Sequence, residues 1–315
     1  MRCRLQRPTR FQWRTAVKRF LAFLLLFLFL CASALAAASL EAPYTPDSPG
    51  AAVAAAAAEV LGLELHLTDG ADLPRAADVM LLSPGALLCA DQSLIISGLQ
   101  GYTSQDLRTA MRPVCRLAVS PLYLVVNAQA AADLGITDAQ SLLSYIAEHE
   151  YEAYFARHID ADVSDRAVTK LSESVPVFTE GYPEDEIPSA LESGEVLAAV
   201  VSEAQLAVAD SSLLPLCSLG AERTAAFPDL PCAADLDIPP CDGIGIWLFA
   251  SSDTDDAAVA QAASACQDMD PAAVKAVPGF VFAPLAGEEA EKEIRDIIAD
   301  YIGYMTSEGL FFYEQ

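Results

Sequence analysis

Short apolar runs alternate with segments of helical periodicity along most of this 315-residue chain, and this alternation constrains the fold more than any other feature. The runs LYLVVN at 122–127 and IGIWLFA at 244–250 have the length and composition of buried strands. The terminal segment instead repeats its apolar residues at helical spacing. Its predicted apolar face consists of Ala290, Ile294, Ile297, Ile298, Tyr301, Ile302 and Met305. Strands and helices in alternation predict an α/β fold.

Several local signals predict where individual elements lie. The sequence Asp-Ser-Pro-Gly at 47–50 predicts a helix start, and Gly62 predicts its end. The apolar runs Ala76–Leu82 and Leu94–Leu99 are interpreted as strands, and a helix opened by Ser104 follows them. A capping box at 137–140 predicts a further amphipathic helix.

The first 38 residues have the order of a secretory signal. Seven basic residues and no acidic ones precede Phe20, an apolar run continues to Leu30, and small residues then offer A-x-A cleavage sites. We expect this segment to be cleaved and the protein to be exported, to the periplasm or the cell surface. An uncleaved membrane anchor stays open as an alternative, because Phe20–Leu40 is long enough to span a bilayer.

The remainder of the chain is strongly acidic. Seven of the 18 basic residues lie before Phe20, which leaves 11 basic against 44 acidic residues and a net charge of −33. Such a charge repels nucleic acid and anionic lipid, so neither is an expected partner.

Six cysteines remain after the first 38 residues, and an even number in an exported protein suggests disulfides. Their pairing cannot be deduced from sequence, although Cys232 with Cys241, the pair closest in sequence, is our guess for one disulfide. The six are Cys89, Cys115, Cys217, Cys232, Cys241 and Cys266. They form no CxxC motif and no Cys/His cluster, so no zinc site is expected.

The sequence contains no motif of a common enzyme class. GxSxG, HExxH, a phosphate-binding loop and GxGxxG are all absent, and the three histidines stand in no recognisable constellation. Its acidic clusters lack the spacing of a calcium loop. We therefore expect neither catalysis nor a cofactor or metal.

A stiff segment at Leu214–Asp235 gives the most specific sequence signal. A short strand leads to Arg223 and then to FPDLPCAADLDI, in which two prolines favour extended geometry. This segment, the run LYLVVN with the helix after it, and SALESGEVLAAVVS at 189–202 together resemble the substrate-binding proteins of tripartite tricarboxylate transporters. The resemblance continues through GIGIWLFASSDTDDAAV at 243–259 and covers most of the chain after residue 46.

The resemblance implies a two-lobed, type II periplasmic-binding-protein fold, with a mixed sheet flanked by helices in each lobe. Residues 39–119 with 223–315 would form lobe 1, and 120–222 would form lobe 2. The implied function is capture of a small organic molecule, a carboxylate, between the lobes and its delivery to membrane permease subunits. The protein would act as a monomer.

The resemblance also implies which residues line the ligand cleft. Lobe 1 would contribute loops at helix starts, with Ser48 and Gly50 in one and Ser83 and Gly85 in the other. Lobe 2 would contribute the segment after Tyr154, and Thr179, which follows a strand. Arg157 is the only nearby cation that could pair bidentately with a carboxylate, and His158 lies in the same segment.

One departure from the family favours a different function. The family has a glycine-rich loop after its first strand, whereas this chain has TPDSPGA at 45–51, with a single glycine and with Asp47 badly placed for an anion. Threonine is also usual where Cys232 stands. The alternative is therefore a degenerate binding-protein fold that serves as a surface interaction or sensory module without a transported ligand.

Overall fold

The computed structural model describes residues 39–307 except for short gaps at 69–72, 84, 100, 102, 104, 150–152, 159–162, 184–185, 210–211, 242 and 276. The predictions for residues 1–38 fall outside the described residues, and so does Ser104 itself. The helix described after Ser104 is Leu107–Ala110, and its capping residue is Asp106. The described residues after residue 38 form one compact unit.

The described strands form two sheets. The first is six-stranded, in the order β11-β4-β10-β3-β1-β2, and the second is five-stranded, in the order β7-β6-β8-β5-β9. The strands are β1 Ser39–Ala42, β2 Glu64–Leu67, β3 Leu87–Asp91, β4 Met111–Ser120, β5 Leu122–Asn127, β6 Tyr154–His158, β7 Phe178–Tyr182, β8 Ala198–Ser202, β9 Leu213–Ser218, β10 Ile244–Ser251 and β11 Val281–Ala286. Both sheets contain parallel and antiparallel pairs.

Helices flank both sheets, and each sheet is mixed. This confirms the predicted α/β fold with two mixed sheets flanked by helices. The described helices are α1 Pro49–Leu61, α2 Leu73–Leu82, α3 Ser93–Leu99, α4 Leu107–Ala110, α5 Ala128–Leu134, α6 Ala139–Glu148, α7 Val163–Ser172, α8 Ile187–Ser193, α9 Glu203–Val208, α10 Asp256–Gln267, α11 Pro271–Lys275 and α12 Gly287–Ser307. A 3₁₀ helix at Ala233–Leu236 follows the stiff proline segment.

Alternation along the strands divides the core between the two faces of each sheet. In β10, Trp247 and Phe249 face a cluster that includes α2, α3 and α12, whereas Ile246 and Leu248 face α1 and α10 on the other side. The first of these clusters continues onto the second sheet, where it includes Leu124 and α7. The apolar face predicted for the terminal helix lies against this shared cluster.

Helix α1 begins and ends where the sequence predicts. The Ser48 hydroxyl accepts a hydrogen bond from Ala51 N at 3.2 Å, and Pro49 occupies the first turn. At the other end, Gly62 adopts a left-handed conformation with φ 66°, and its N–H satisfies carbonyls of the last turn.

Two apolar runs that we predicted as strands are helices. Ala76–Leu82 lies in α2, which buries Ala76, Ala77 and Met80 on one face, and Leu94–Leu99 lies in α3. The strand is Leu87–Asp91, between them. Apolar runs of six or seven residues fit a strand or a buried helix equally well, so periodicity did not distinguish the two.

Two smaller predictions need correction. The capping box is at 138–141, one residue later than predicted, with the Asp138 carboxylate accepting from Ser141 N at 2.7 Å. The guess that Cys232 pairs with Cys241 is wrong, because Cys232 is a free buried thiol. The Cys232 thiol instead contacts Ala221 O and an Asp235 carboxylate oxygen, each at 3.4 Å.

Candidate functional site

The two sheets meet where β4 passes directly into β5 through Pro121. At this crossing, the Ser120 hydroxyl accepts a hydrogen bond from Ala204 N at 3.1 Å, and Pro121 O accepts one from Glu203 N at 2.7 Å. The chain returns from the second sheet to the first between β9 and β10, and in this segment Cys241 N donates a hydrogen bond to Leu219 O at 2.8 Å. The crossing is therefore held by backbone contacts from both sheets.

Strand directions bring the carboxyl ends of several strands to this crossing. In the first sheet, β3 is antiparallel to β10 and parallel to β1, so β1 and β3 both end on the crossing side. In the second sheet, β8 is antiparallel to β5 and parallel to β6, so β6 and β8 end there too. Loops after parallel strands of open α/β sheets commonly bind ligands at this edge.

Ser48 caps α1 at the end of the loop after β1, and Gly50 lies in the first turn of α1. The Ser48 hydroxyl donates to Thr45 O at 2.8 Å in addition to capping α1. Gly50 lies under the ring of Tyr44, since a Cβ at Gly50 would stand 2.6 Å from a ring carbon. The Tyr44 hydroxyl is buried, and this burial, followed by the charge of Asp91, raises the Tyr44 pKa.

Ser83 and Gly85 lie at the opposite edge of the first sheet. They follow α2 and precede β3, so they stand at the amino end of that strand rather than at its carboxyl end. The residues at the carboxyl end of β3, on the crossing side, are Asp91 and Gln92. The Gln92 side chain is buried and links the end of β3 to the start of β10, donating to Gly243 O at 3.3 Å and accepting from Gly245 N at 2.9 Å.

The residues predicted on the second sheet are separated along it. Arg157 and His158 form the carboxyl end of β6, on the crossing side, whereas Thr179 is near the amino end of the neighbouring edge strand β7. Arg157 Nη1 donates to an oxygen of Asp165 at 3.1 Å. Asp165 is fully buried and also accepts from the Tyr304 hydroxyl at 2.9 Å.

A cavity of about 490 Å³ lies between α7 of the second sheet and α12, which packs on the first sheet. We call it the α7–α12 cavity. Its volume lies within the range of small-molecule sites. Gln92, Val163 and Cys241 are buried in its wall. Its lining consists of Gln92, Arg116, Val163, Arg166, Lys170, Cys241, Leu285, Glu289, Lys292, Glu293, Asp296, Ile297, Asp300 and Tyr301.

Ion pairs tie the two helices together across the cavity. Arg166 donates two hydrogen bonds to the Asp300 carboxylate, both at 3.0 Å, in the bidentate geometry that guanidinium groups favour. The Lys170 ammonium lies 3.0 Å from the same carboxylate. On the side of the first sheet, Arg116 forms an ion pair with Glu293 and donates to Ala283 O at 3.1 Å.

These contacts keep the groups charged despite partial burial. Burial disfavours the Asp300 carboxylate, but the hydrogen bonds from Arg166 and Lys170 outweigh it and lower the Asp300 pKa. Burial likewise disfavours the Arg166 cation, and the bond to Asp300 outweighs it and raises the Arg166 pKa. The cavity is therefore lined by fixed opposite charges at neutral pH.

Of the seven residues predicted from the sequence, the six whose side chains the structure describes do not line this cavity, and its described lining residues were missed. A helical signal for them is present in the sequence. Glu289, Glu293, Asp296 and Asp300 recur at intervals of four, three and four residues, which places them on one face of α12. Arg166 and Lys170, four residues apart, form a matching basic pair on α7.

Among the described residues, no group of three or more His, Cys, Asp or Glu side chains is arranged to hold a metal ion. The helices described here also include none that is long and apolar enough to cross a membrane.

Comparison with solved structures identifies proteins of the same fold. A TctC solute-binding protein from Polaromonas superposes with a TM-score of 0.68 at 17% identity, covering 86% of this chain and 98% of that one. MatC from Rhodopseudomonas palustris with bound malate gives 0.62 at 18% identity, covering 85% and 97%. An R. palustris protein with adipate gives 0.66 at 16% identity, covering 86% and 97%.

No family model matches the sequence, and no curated protein matches it either. At these identities the structural matches establish the fold, and they confirm the resemblance to tricarboxylate-transporter binding proteins at that level.

Proposed function

We propose that this protein is an exported solute-binding protein that captures a small carboxylate between two lobes and delivers it to a membrane transporter. The lobes would be residues 39–119 with 223–315, and residues 120–222. It has no chemistry of its own in this proposal. Its partners would be the ligand and the permease subunits, and it would act as a monomer.

The α7–α12 cavity is the observation that carries this proposal. Its wall comes from both halves of the structure. Arg166 and Lys170 belong to α7, which packs on the second sheet. In the first sheet, Arg116 belongs to β4 and Gln92 directly follows β3. A ligand in this space would contact both lobes at once, so its binding energy would favour one arrangement of the lobes over others. Neighbours of this fold hold malate and adipate, which supports a carboxylate.

The site proposed here differs from the cleft that the resemblance implied. Ser48 and Gly50 lie at the crossing-side edge, but Tyr44 covers the start of α1 and leaves no room for a side chain at Gly50. Arg157 is engaged with the buried Asp165. The contacts of Tyr44 and Arg157 favour the α7–α12 cavity over the loops predicted from the sequence.

The same two contacts are what favour the second candidate function, a degenerate binding fold that serves as an interaction or sensory module. A tyrosine over α1 fills the place where the family's glycine-rich loop receives a ligand. In this case the α7–α12 cavity would bind no ligand, and its ion pairs would serve only to hold the two helices together.

A ligand screen distinguishes the two functions. We expect at least one small carboxylate or amino acid to raise the unfolding temperature of the purified protein and to release or absorb heat in titration calorimetry. At a ligand concentration 100-fold above Kd, the stabilisation is about 2.7 kcal/mol, which corresponds to a shift of several degrees. A complete panel without any shift or heat would favour the degenerate fold.

A further inference from the structure

Opposite charges face each other across the α7–α12 cavity. The α7 wall contributes the cations Arg166 and Lys170 and no acidic side chain. The α12 wall contributes mainly acidic side chains, together with Lys292. These acids are Glu289, Glu293, Asp296 and Asp300. The cavity is thus basic on one side and acidic on the other.

Among the described residues, the lining carries no net charge. Arg116, Arg166, Lys170 and Lys292 are four cations, and the four acids of α12 balance them. A dicarboxylate would bring two negative charges into this lining and place at least one of them near acidic groups of α12. Because like charges in a partly desolvated site disfavour each other, the lining discriminates against a dianion.

The distant charges of the protein act in the same direction. The chain after residue 38 carries a net charge of −33, which repels an approaching dianion and leaves a ligand of zero net charge unaffected. This effect does not depend on the details of the cavity. Both the local and the distant charges therefore favour a ligand that carries a cation as well as a carboxylate.

We infer that the ligand of the α7–α12 cavity is a small zwitterion of the amino-acid class, with its carboxylate toward Arg166 and Lys170 and its ammonium group toward the acidic face of α12. This inference rests on the proposed function, because it names the ligand class of the same site. Lys170 is the better anchor for the carboxylate, since Arg166 already makes two hydrogen bonds to Asp300.

The cavity can accept such a ligand without leaving its own charges unpaired. A carboxylate beside Lys170 would share that cation with Asp300, whose second oxygen keeps its bond from Arg166. An ammonium group beside Glu289 would meet an exposed carboxylate at the rim. Each ligand charge then meets an opposite charge, which is the condition for binding without a large desolvation cost.

The test is calorimetric titration of the purified protein with two matched series, one of α-amino acids and one of dicarboxylates of the same chain length, including malate and adipate. We expect an amino acid to bind at least tenfold more tightly than the dicarboxylate of equal length. Tighter binding of a dicarboxylate would overturn the inference while leaving the proposed function intact. The absence of binding in both series would overturn both.

Two variants test the orientation of the ligand. Lys170→Met keeps the aliphatic stem and removes the cation, so we expect amino-acid affinity to fall about tenfold. Glu289→Gln should weaken amino acids severalfold and leave monocarboxylates without an ammonium group unchanged. The matched controls are Arg223→Met, which removes a cation paired with one aspartate away from the cavity, and Glu59→Gln on the exposed side of α1.

Unfolding midpoints of all four variants show whether each is folded. A Lys170→Met variant that folds and binds the amino acid as tightly as the unaltered protein would contradict the orientation. Equal losses in the control variants would contradict it as well, because those positions lie outside the cavity lining.

Discussion

At the residue scale, His66 pairs with a buried carboxylate. Its Nδ1 lies 3.0 Å from an oxygen of the buried Glu41 on the neighbouring strand, and its Nε2 lies 3.6 Å from Glu64. The hydrogen bond to Glu41 raises the His66 pKa above its ordinary value of 6.5. The imidazolium therefore compensates a buried carboxylate on β1.

This shift predicts a pH dependence of stability. Because the pKa is higher in the folded state, the contribution of His66 is fully present below pH 6.5 and is lost as the pH rises through the folded-state pKa. We expect urea unfolding midpoints to fall between pH 6 and pH 8 by more in the unaltered protein than in His66→Gln. Identical falls in the two proteins would show that this pair does not contribute.

At the element scale, the start of α1 depends on a close approach between Tyr44 and Gly50. Gly50→Ala places a methyl carbon 2.6 Å from a carbon of the Tyr44 ring, well inside van der Waals contact, so we expect a loss of about 1–3 kcal/mol in the free energy of unfolding. The measurement is chemical denaturation monitored by circular dichroism.

The matched control is the same substitution in another helix. Gly303 lies in α12, is exposed, and has no neighbouring atom within 4 Å of an added Cβ. Gly303→Ala should therefore stabilise the protein by about 0.5–1 kcal/mol, because alanine is the better helix former. Equal effects at the two positions would mean that the Tyr44 contact is unimportant.

The elements also show what the sequence could and could not predict. Long buried strands such as Leu122–Asn127 and the terminal helix follow from composition and periodicity. Ala76–Leu82 does not, since a run of that length fits either structure. Interpreting it as a strand assigned Ser83 and Gly85 to the end of a strand and left Gln92 unnoticed, although Gln92 lies at the crossing.

The cavity escaped prediction for a different reason. Arg166 and Asp300 are 134 residues apart, and nothing local in either segment indicates that α7 and α12 will meet. Each segment does show its charged face. The two charged faces form a site only because tertiary packing brings them together.

At the scale of the whole molecule, a single apolar cluster extends over both sheets and includes α12. The ion pairs between α7 and α12 lie beside it, so one helix contacts both halves of the molecule. A ligand bound between α7 and α12 would affect the relative position of the two halves. The central claim of this account is therefore the location of the ligand.

A crystal structure of the protein at saturating concentration of a compound found in the ligand screen tests that claim most directly. We expect ligand density in the α7–α12 cavity, within hydrogen-bonding distance of Lys170 and of at least one residue from the first sheet or α12. Density beside Ser48 at the start of α1, with the α7–α12 cavity holding only solvent, would contradict the claim.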